Sequence, residues 1–249
     1  RVSGSNIVDA NIQIIGKNSD HKLLNSRIKT KSYSNILINS STVSQSLTSN
    51  LVAYWKLDEQ DGTTAIDSTG NYNGSNSGCV VNQVGKIGTS YKFDNITDLI
   101  TTGYANNNRP ISISAWINTA SSSSQDDLII SNDNGGYDYA IANWSGKWNV
   151  HTGNTKVSSD VSVAIDGWDH VVAVFNTDNT YLYINGELIV TTNTYVSSSG
   201  GNWKIGGGTG TGGLKYIDEV GIWDRALTSS DISLLYNSGD GLSYPFVPV

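Results

Sequence analysis

The chain is poor in the residues on which much enzyme chemistry and most nucleic-acid binding depend. Its 249 residues include one cysteine, Cys79, and three histidines, His21, His151 and His170. A single cysteine excludes an intrachain disulfide framework. The histidines fall at no zinc-site or triad spacing. Cys79 sits in a polar stretch without a recognisable histidine partner, which argues against a catalytic thiol. Glutamate is also scarce, with only Glu59, Glu187 and Glu219. No run reaches the roughly 18 apolar residues of a membrane span, so no membrane insertion is expected. Basic charge is thin where the chain is longest. Residues 51–249 carry nine basic and twenty acidic side chains, net −11, whereas residues 1–50 carry six and two, net +4. Phosphate binding needs a basic footprint, so the acidic body argues against nucleic acid as its partner. It suits cations or neutral sugars, or simply solubility. The chain begins at Arg1 without Met, so a processed or excised start is expected.

What the chain does have is aromatic bulk and short strands. Seven Trp and thirteen Tyr make up for modest aliphatic content. Ile111 to Ile117 alternates cleanly: Ile111, Ile113, Ala115 and Ile117 face one way, and Ser112, Ser114 and Trp116 the other. Strands are predicted at Leu51 to Leu57, Ile87 to Phe93, Leu128 to Ser131, Tyr137 to Ala142, Lys147 to His151, Trp168 to Phe175, Thr180 to Ile184, Glu187 to Val190 and Trp203 to Ile205. Asn185-Gly186 is the strongest hairpin signal. Gly206 to Gly213 lacks the lysine and helix of a phosphate loop. Tyr216 to Trp223 reads as a strand carrying the acids Asp218 and Glu219. One short helix follows, with Thr228 as cap and Asp231 three positions on. Many short strands and one late helix imply an all-β fold, a two-sheet antiparallel sandwich. Residues 1–50 differ. Weak echoes at Val8, Leu24 and Ile38 suit either an extended β-rich arm or the end of a β-helical stalk. Either reading predicts packing on the neighbouring domain or self-association through residues 1–50.

Residues 51–239 resemble the laminin-G-like, concanavalin-A-like jelly rolls of lectins and glucanases. The resemblance rests on Leu51 to Glu59 (LVAYWKLDE), Asp67 to Asn71 with Asn73-Gly74, and Tyr91 to Asp94. It continues through Ile113 to Ile117, Gly167 to Val174, Leu182 to Gly186 and Ile217 to Thr228 (IDEVGIWDRALT). It implies a jelly-roll domain over residues 51–249. It also implies a structural Ca²⁺ held by Asp67 and Asp218, with Asn73 and carbonyls near Gly70 as further ligands, tying an early loop to a late strand. The alternative is that Asp67 caps a turn and Asp218 pairs with a lysine. His170, in Trp-Asp-His, is expected to pack or hydrogen-bond.

Two lines of chemistry then separate. Glycosidases need two acids flanking the scissile bond, and the Glu-x-Asp-x-x-Glu pattern of jelly-roll glucanases is missing. Asp218 and Glu219, as strand neighbours, are expected on opposite faces and so unable to pair. A glycoside hydrolase is therefore the remote reading, and no catalytic residue is assigned. Sugar binding instead needs an exposed ring for the pyranose face, with amides and hydroxyls around it. Tyr137, Tyr139, Asn143, Trp144 and Trp148 supply these within one hairpin-rich stretch. Trp144, in Asn-Trp-Ser-Gly, is the ring least suited to a core. The expected function is a non-catalytic carbohydrate-binding or adhesion module of a secreted, cell-surface or virion protein, with a glycan or other surface ligand as partner. The alternative is a structural assembly subunit of a fibre, capsid or appendage.

Overall fold

A computed structural model describes residues 46–120, 126–135, 137–153, 155–193, 200–208 and 215–247. The proposed arm therefore lies outside the described residues except for its last five, as do Ser121 to Ser124 and most of the glycine run after Gly206. The described chain is mostly strand and forms two antiparallel eight-stranded sheets. In the first, the order is β14 (Glu187–Thr192), β13 (Thr180–Ile184), β12 (Trp168–Phe175), β7 (Ile111–Thr119), β16 (Lys215–Trp223), β5 (Thr89–Phe93) and β4 (Val80–Val84), and β1 (Leu51–Trp55) also pairs with β16. In the second, the order is β11 (Lys156–Ser162), β10 (Lys147–His151), β9 (Ala140–Trp144), β8 (Asp127–Ser131), β15 (Lys204–Gly206), β6 (Leu99–Thr101), β3 (Gly74–Ser77) and β2 (Thr64–Ala65).

Alternation decides what lies between the sheets. Ile111, Ile113, Ala115 and Ile117 of β7 meet Ile141, Trp148, Val150 and Ile205 of the opposite sheet in one buried cluster. A fully buried aliphatic or aromatic side chain of this kind stabilises by roughly 1.5–3 kcal/mol. One charged pair is enclosed with them. Lys215 of β16 and Asp127 of β8 form an ion pair, each side chain 1 % exposed.

A second cluster covers the other face of the first sheet. There α1 (Ser229–Tyr236) and the C-terminal segment pack Ile232, Leu235 and Phe246 against Tyr54, Val172, Val174 and Trp223. The helix starts as the sequence predicts: Thr228 accepts from the Asp231 amide and Asp231 accepts from the Thr228 amide. The polar side of β7 faces this layer. Ser112 Oγ donates to the Arg225 carbonyl and accepts from the Leu227 amide. Trp116, His170 and Tyr236 stack together. Residues 46–50 also belong to this layer. Leu47 is fully buried, and its carbonyl accepts the Trp223 indole N–H at 2.7 Å. The body therefore begins upstream of residue 51.

Candidate functional site

The five side chains expected to meet a sugar separate into two groups. Tyr139, Asn143 and Trp148 are buried, at 1 %, 0 % and 0 % exposure, and point between the sheets. Tyr139 stacks on Phe175 with ring centroids 4.4 Å apart, and Trp148 donates its indole N–H to Asp169. Asn143 lies across from Trp148 on β10, with neither amide atom hydrogen-bonded. These three assignments are corrected: the side chains are core, not ligand contacts. Tyr137 and Tyr139 do not share a strand face because Tyr137 has φ 59° and lies outside β9, which begins at Ala140.

Tyr137 and Trp144 remain exposed, at 43 % and 37 %. With Ile141 and Val150 turned into the core, Trp144 and His151, the latter only 1 % exposed, lie on the outward side of the second sheet, and Lys156 does the same beside inward Val157. The Lys156 ammonium lies 3.7 Å from the centroid of the Trp144 ring and 5.5 Å from that of Tyr137. His151 meets the Tyr137 ring edge to face at 5.2 Å. Asp126 anchors the group. Its carboxylate accepts from Lys156 at 3.2 and 3.4 Å and stands 3.5 Å from His151 Nε2. His151 and then Lys156 hold the Asp126 carboxyl below the usual carboxylate range. Two partly exposed rings, one of them overlain by the ammonium, thus share one sheet face with an ammonium and a carboxylate. Asp126, His151 and Lys156 are not singled out by the sequence. Lys156 to Ser162 is too polar to announce a strand, although Val157 and Val161 carry a faint alternation.

The residues expected to hold calcium are served by different loops. Asp67 is buried, and five donors fill its carboxylate: the Tyr54, Thr69, Asn71 and Tyr72 amides at 2.8–3.0 Å and the Thr69 hydroxyl at 2.6 Å. A carboxylate offers about four lone-pair positions, so none is left for an ion. Asn73 Oδ1 accepts from the Asp67 amide, and the Gly70 amide donates to the Asp67 carbonyl. Asp218 Oδ2 instead accepts the Lys86 and Ile87 amides at 2.8 and 3.0 Å. As these side chains stand, the set does not fit a calcium ion. Among the described residues no three His, Cys, Asp or Glu side chains group as metal ligands.

Asp218 and Glu219 themselves overturn the expectation of opposite faces. The register of β16 slips between Asp218 and Gly221, and Glu219 takes φ 51°. Ile217, Val220 and Ile222 all reach the intersheet core, so the two residues between the first and second of them bulge outward together. Glu219 accepts the Tyr54 hydroxyl at 2.5 Å. Asp218 Oδ1 and Glu219 Oε1 are buried without partners. Burial first, and then the neighbouring Glu219 charge, raises Asp218 to about 9; burial raises Glu219 to about 7. A cavity of about 550 Å³ opens on this side, lined by residues including Ile87, Leu242 and Tyr244 but by neither acid. The pair is enclosed, 0 % and 2 % exposed.

Comparison with known proteins places this geometry. The family model described as the concanavalin A-like lectin/glucanases superfamily matches residues 88–233. No curated protein sequence matches. Among solved structures, Trypanosoma rangeli sialidase superposes with a TM-score of 0.62 at 12 % identity, over 77 % of this chain and 33 % of that one. The botulinum neurotoxin serotype D binding domain superposes with a TM-score of 0.62 at 17 % identity, over 80 % of this chain and 52 % of that one. This chain thus spans about a third and about half of those proteins, and the likeness is one of fold.

Proposed function

The chain belongs to the concanavalin A-like lectin/glucanase superfamily, and on that premise we propose that it is a non-catalytic carbohydrate-binding module. The carrying observation is the exposed pair Tyr137 and Trp144 on the outward face of the second sheet, with the Lys156 ammonium against both rings and Asp126 paired to it. An aromatic plane beside hydrogen-bonding groups is what a pyranose needs, apolar C–H face on the ring and hydroxyls on the polar atoms. The remaining reactive groups support a non-catalytic role. Asp218 and Glu219 share a face but are enclosed. Glu59 is committed to the Ile66 amide and the Tyr91 hydroxyl. Ser114 and His170 are 2.9 Å apart, yet both are buried and His170 Nδ1 has no partner to orient it. Burial pushes the Cys79 thiol up to about 12, so it is not a thiolate at neutral pH. The setting proposed for such a module is a secreted, cell-surface or virion protein. Among the described residues no helix is long and apolar enough to cross a membrane.

The test is a diverse glycan array probed with the wild-type chain and with Trp144→Ala. Signal on defined glycans that disappears in the variant supports the reading, and a clean negative across the array sinks it. The second reading, an assembly subunit, draws on one observation. Among the described residues β4 is an edge strand, and it exposes Val84 at 87 % and Val80 at 43 %. Concentration-dependent sedimentation that disappears in Val84→Lys supports it, whereas a monomer at all concentrations removes it.

A further inference from the structure

From the same face, and resting on the carbohydrate-binding reading, we infer that the ligand is an uncharged glycan whose vicinal diol is read by the Lys156–Asp126 ion pair. Lys156 and Asp126 are partly exposed, with side chains at 17 % and 14 %, and their charges cancel at 3.2 Å. Each keeps spare hydrogen-bonding capacity. The ammonium has three protons, and Asp126 is the one partner it has among the hydrogen bonds of the described chain. Asp126 Oδ2 accepts from Lys156 alone and keeps a lone pair, while Oδ1 also faces His151 Nε2 at 3.5 Å. A donor and an acceptor set side by side match two neighbouring hydroxyls, one accepting from Nζ and the other donating to the carboxylate. Trp144 lies beside the pair with Lys156 covering one face of its ring at 3.7 Å, so its apolar contact to the sugar comes from the part of the ring that stays exposed.

An anionic sugar meets the opposite conditions. Its carboxylate or sulfate competes with Asp126 for Lys156 and has to sit beside the Asp126 carboxylate, whose charge repels it. It also has to approach a body of net charge −11 over residues 51–249. A neutral diol does neither, because the ion pair stays intact while it binds. Lys156 and Asp126 are thus specificity-determining residues of this face.

The experiment is titration of the full chain with neutral oligosaccharides and with sialylated and sulfated ones, each at 50 mM and 300 mM NaCl. Wild type is expected to bind neutral glycans with an affinity that salt leaves within twofold. Lys156→Met and Asp126→Asn are each expected to weaken that affinity tenfold or more. Should either variant melt early, Lys156→Arg, which keeps the charge and changes the donor geometry, takes its place with the same expected loss. Binding confined to sialylated or sulfated glycans and weakened by salt would overturn the inference while leaving the carbohydrate-binding reading intact. Neutral binding that survives all these substitutions would also overturn it. Absence of binding to any glycan would remove both.

Discussion

Asp218 and Glu219 are chain neighbours whose side chains leave the same face of β16, because a bulge with Glu219 at φ 51° inserts one residue between Ile217 and Val220. Two carboxyls are thereby enclosed together, each with one oxygen unpartnered. Burial disfavours their charged forms. Both folded-state values, about 9 and about 7, lie above those of an unfolded chain. The folded state therefore binds protons more tightly, and stability is fully present below about pH 4 from these groups and is lost as pH rises through 7 to 9. Asp218→Asn keeps an oxygen for the Lys86 and Ile87 amides and removes the charge. It is expected to stabilise the protein at pH 9 by roughly 1–3 kcal/mol and to flatten the fall in melting temperature between pH 6 and 9. Denaturant titrations at these pH values check it, and an unchanged or steeper fall contradicts it.

This bulge was not readable from the residues. Reading Ile217 to Trp223 as strict alternation puts Asp218 and Glu219 on opposite faces, and the extra residue becomes visible only when Ile217, Val220 and Ile222 are found on one side. Gly221 is the single local hint: a Cβ there would meet the Trp223 ring at 2.4 Å. Where local chemistry dominates, the sequence does better. β12 and β13 lie where their apolar runs predict, joined to β14 by Asn185 and Gly186 at φ 51° and 82°. Trp144 is recognisable as exposed because it immediately precedes the Ser145–Gly146 turn. Tyr139 and Trp148 are not recognisable as core, because the face of β9 depends on where the strand starts. Asp126, just ahead of β8, and Lys156, on β11, come together only through the successive pairings of β8, β9, β10 and β11, a long-range fact that no local pattern carries.

Asp67 tests whether hydrogen bonds or an ion hold the early loop. Asp67→Ala removes the acceptor of five hydrogen bonds, one buried and four partly buried, and is expected to cost about 3 kcal/mol or more. For a domain of this size that lowers the melting temperature by roughly 6–12 °C. Chelation of the wild-type chain is expected to leave the melting temperature unchanged. A calcium-dependent rise of several degrees, abolished by Asp67→Ala, contradicts the hydrogen-bond account.

Lys215 and Asp127 form the buried ion pair between the sheets. Removing one partner strands a charge in the core, so Lys215→Met is expected to cost about 3–5 kcal/mol. The double variant Lys215→Met with Asp127→Leu should recover much of that loss. Chemical denaturation of the three variants checks this, and additive losses in the double variant speak against it.

Trp144 lies at the centre of the account, and its affinity contribution is the most direct measurement. Calorimetric titration of an array-selected glycan into wild type and Trp144→Ala, with melting temperatures taken in parallel, separates binding from folding. Loss of the Lys156–Trp144 cation–π contact predicts a modest stability cost of about 0.5–1 kcal/mol, and an affinity at least tenfold weaker. Full affinity in Trp144→Ala would contradict it.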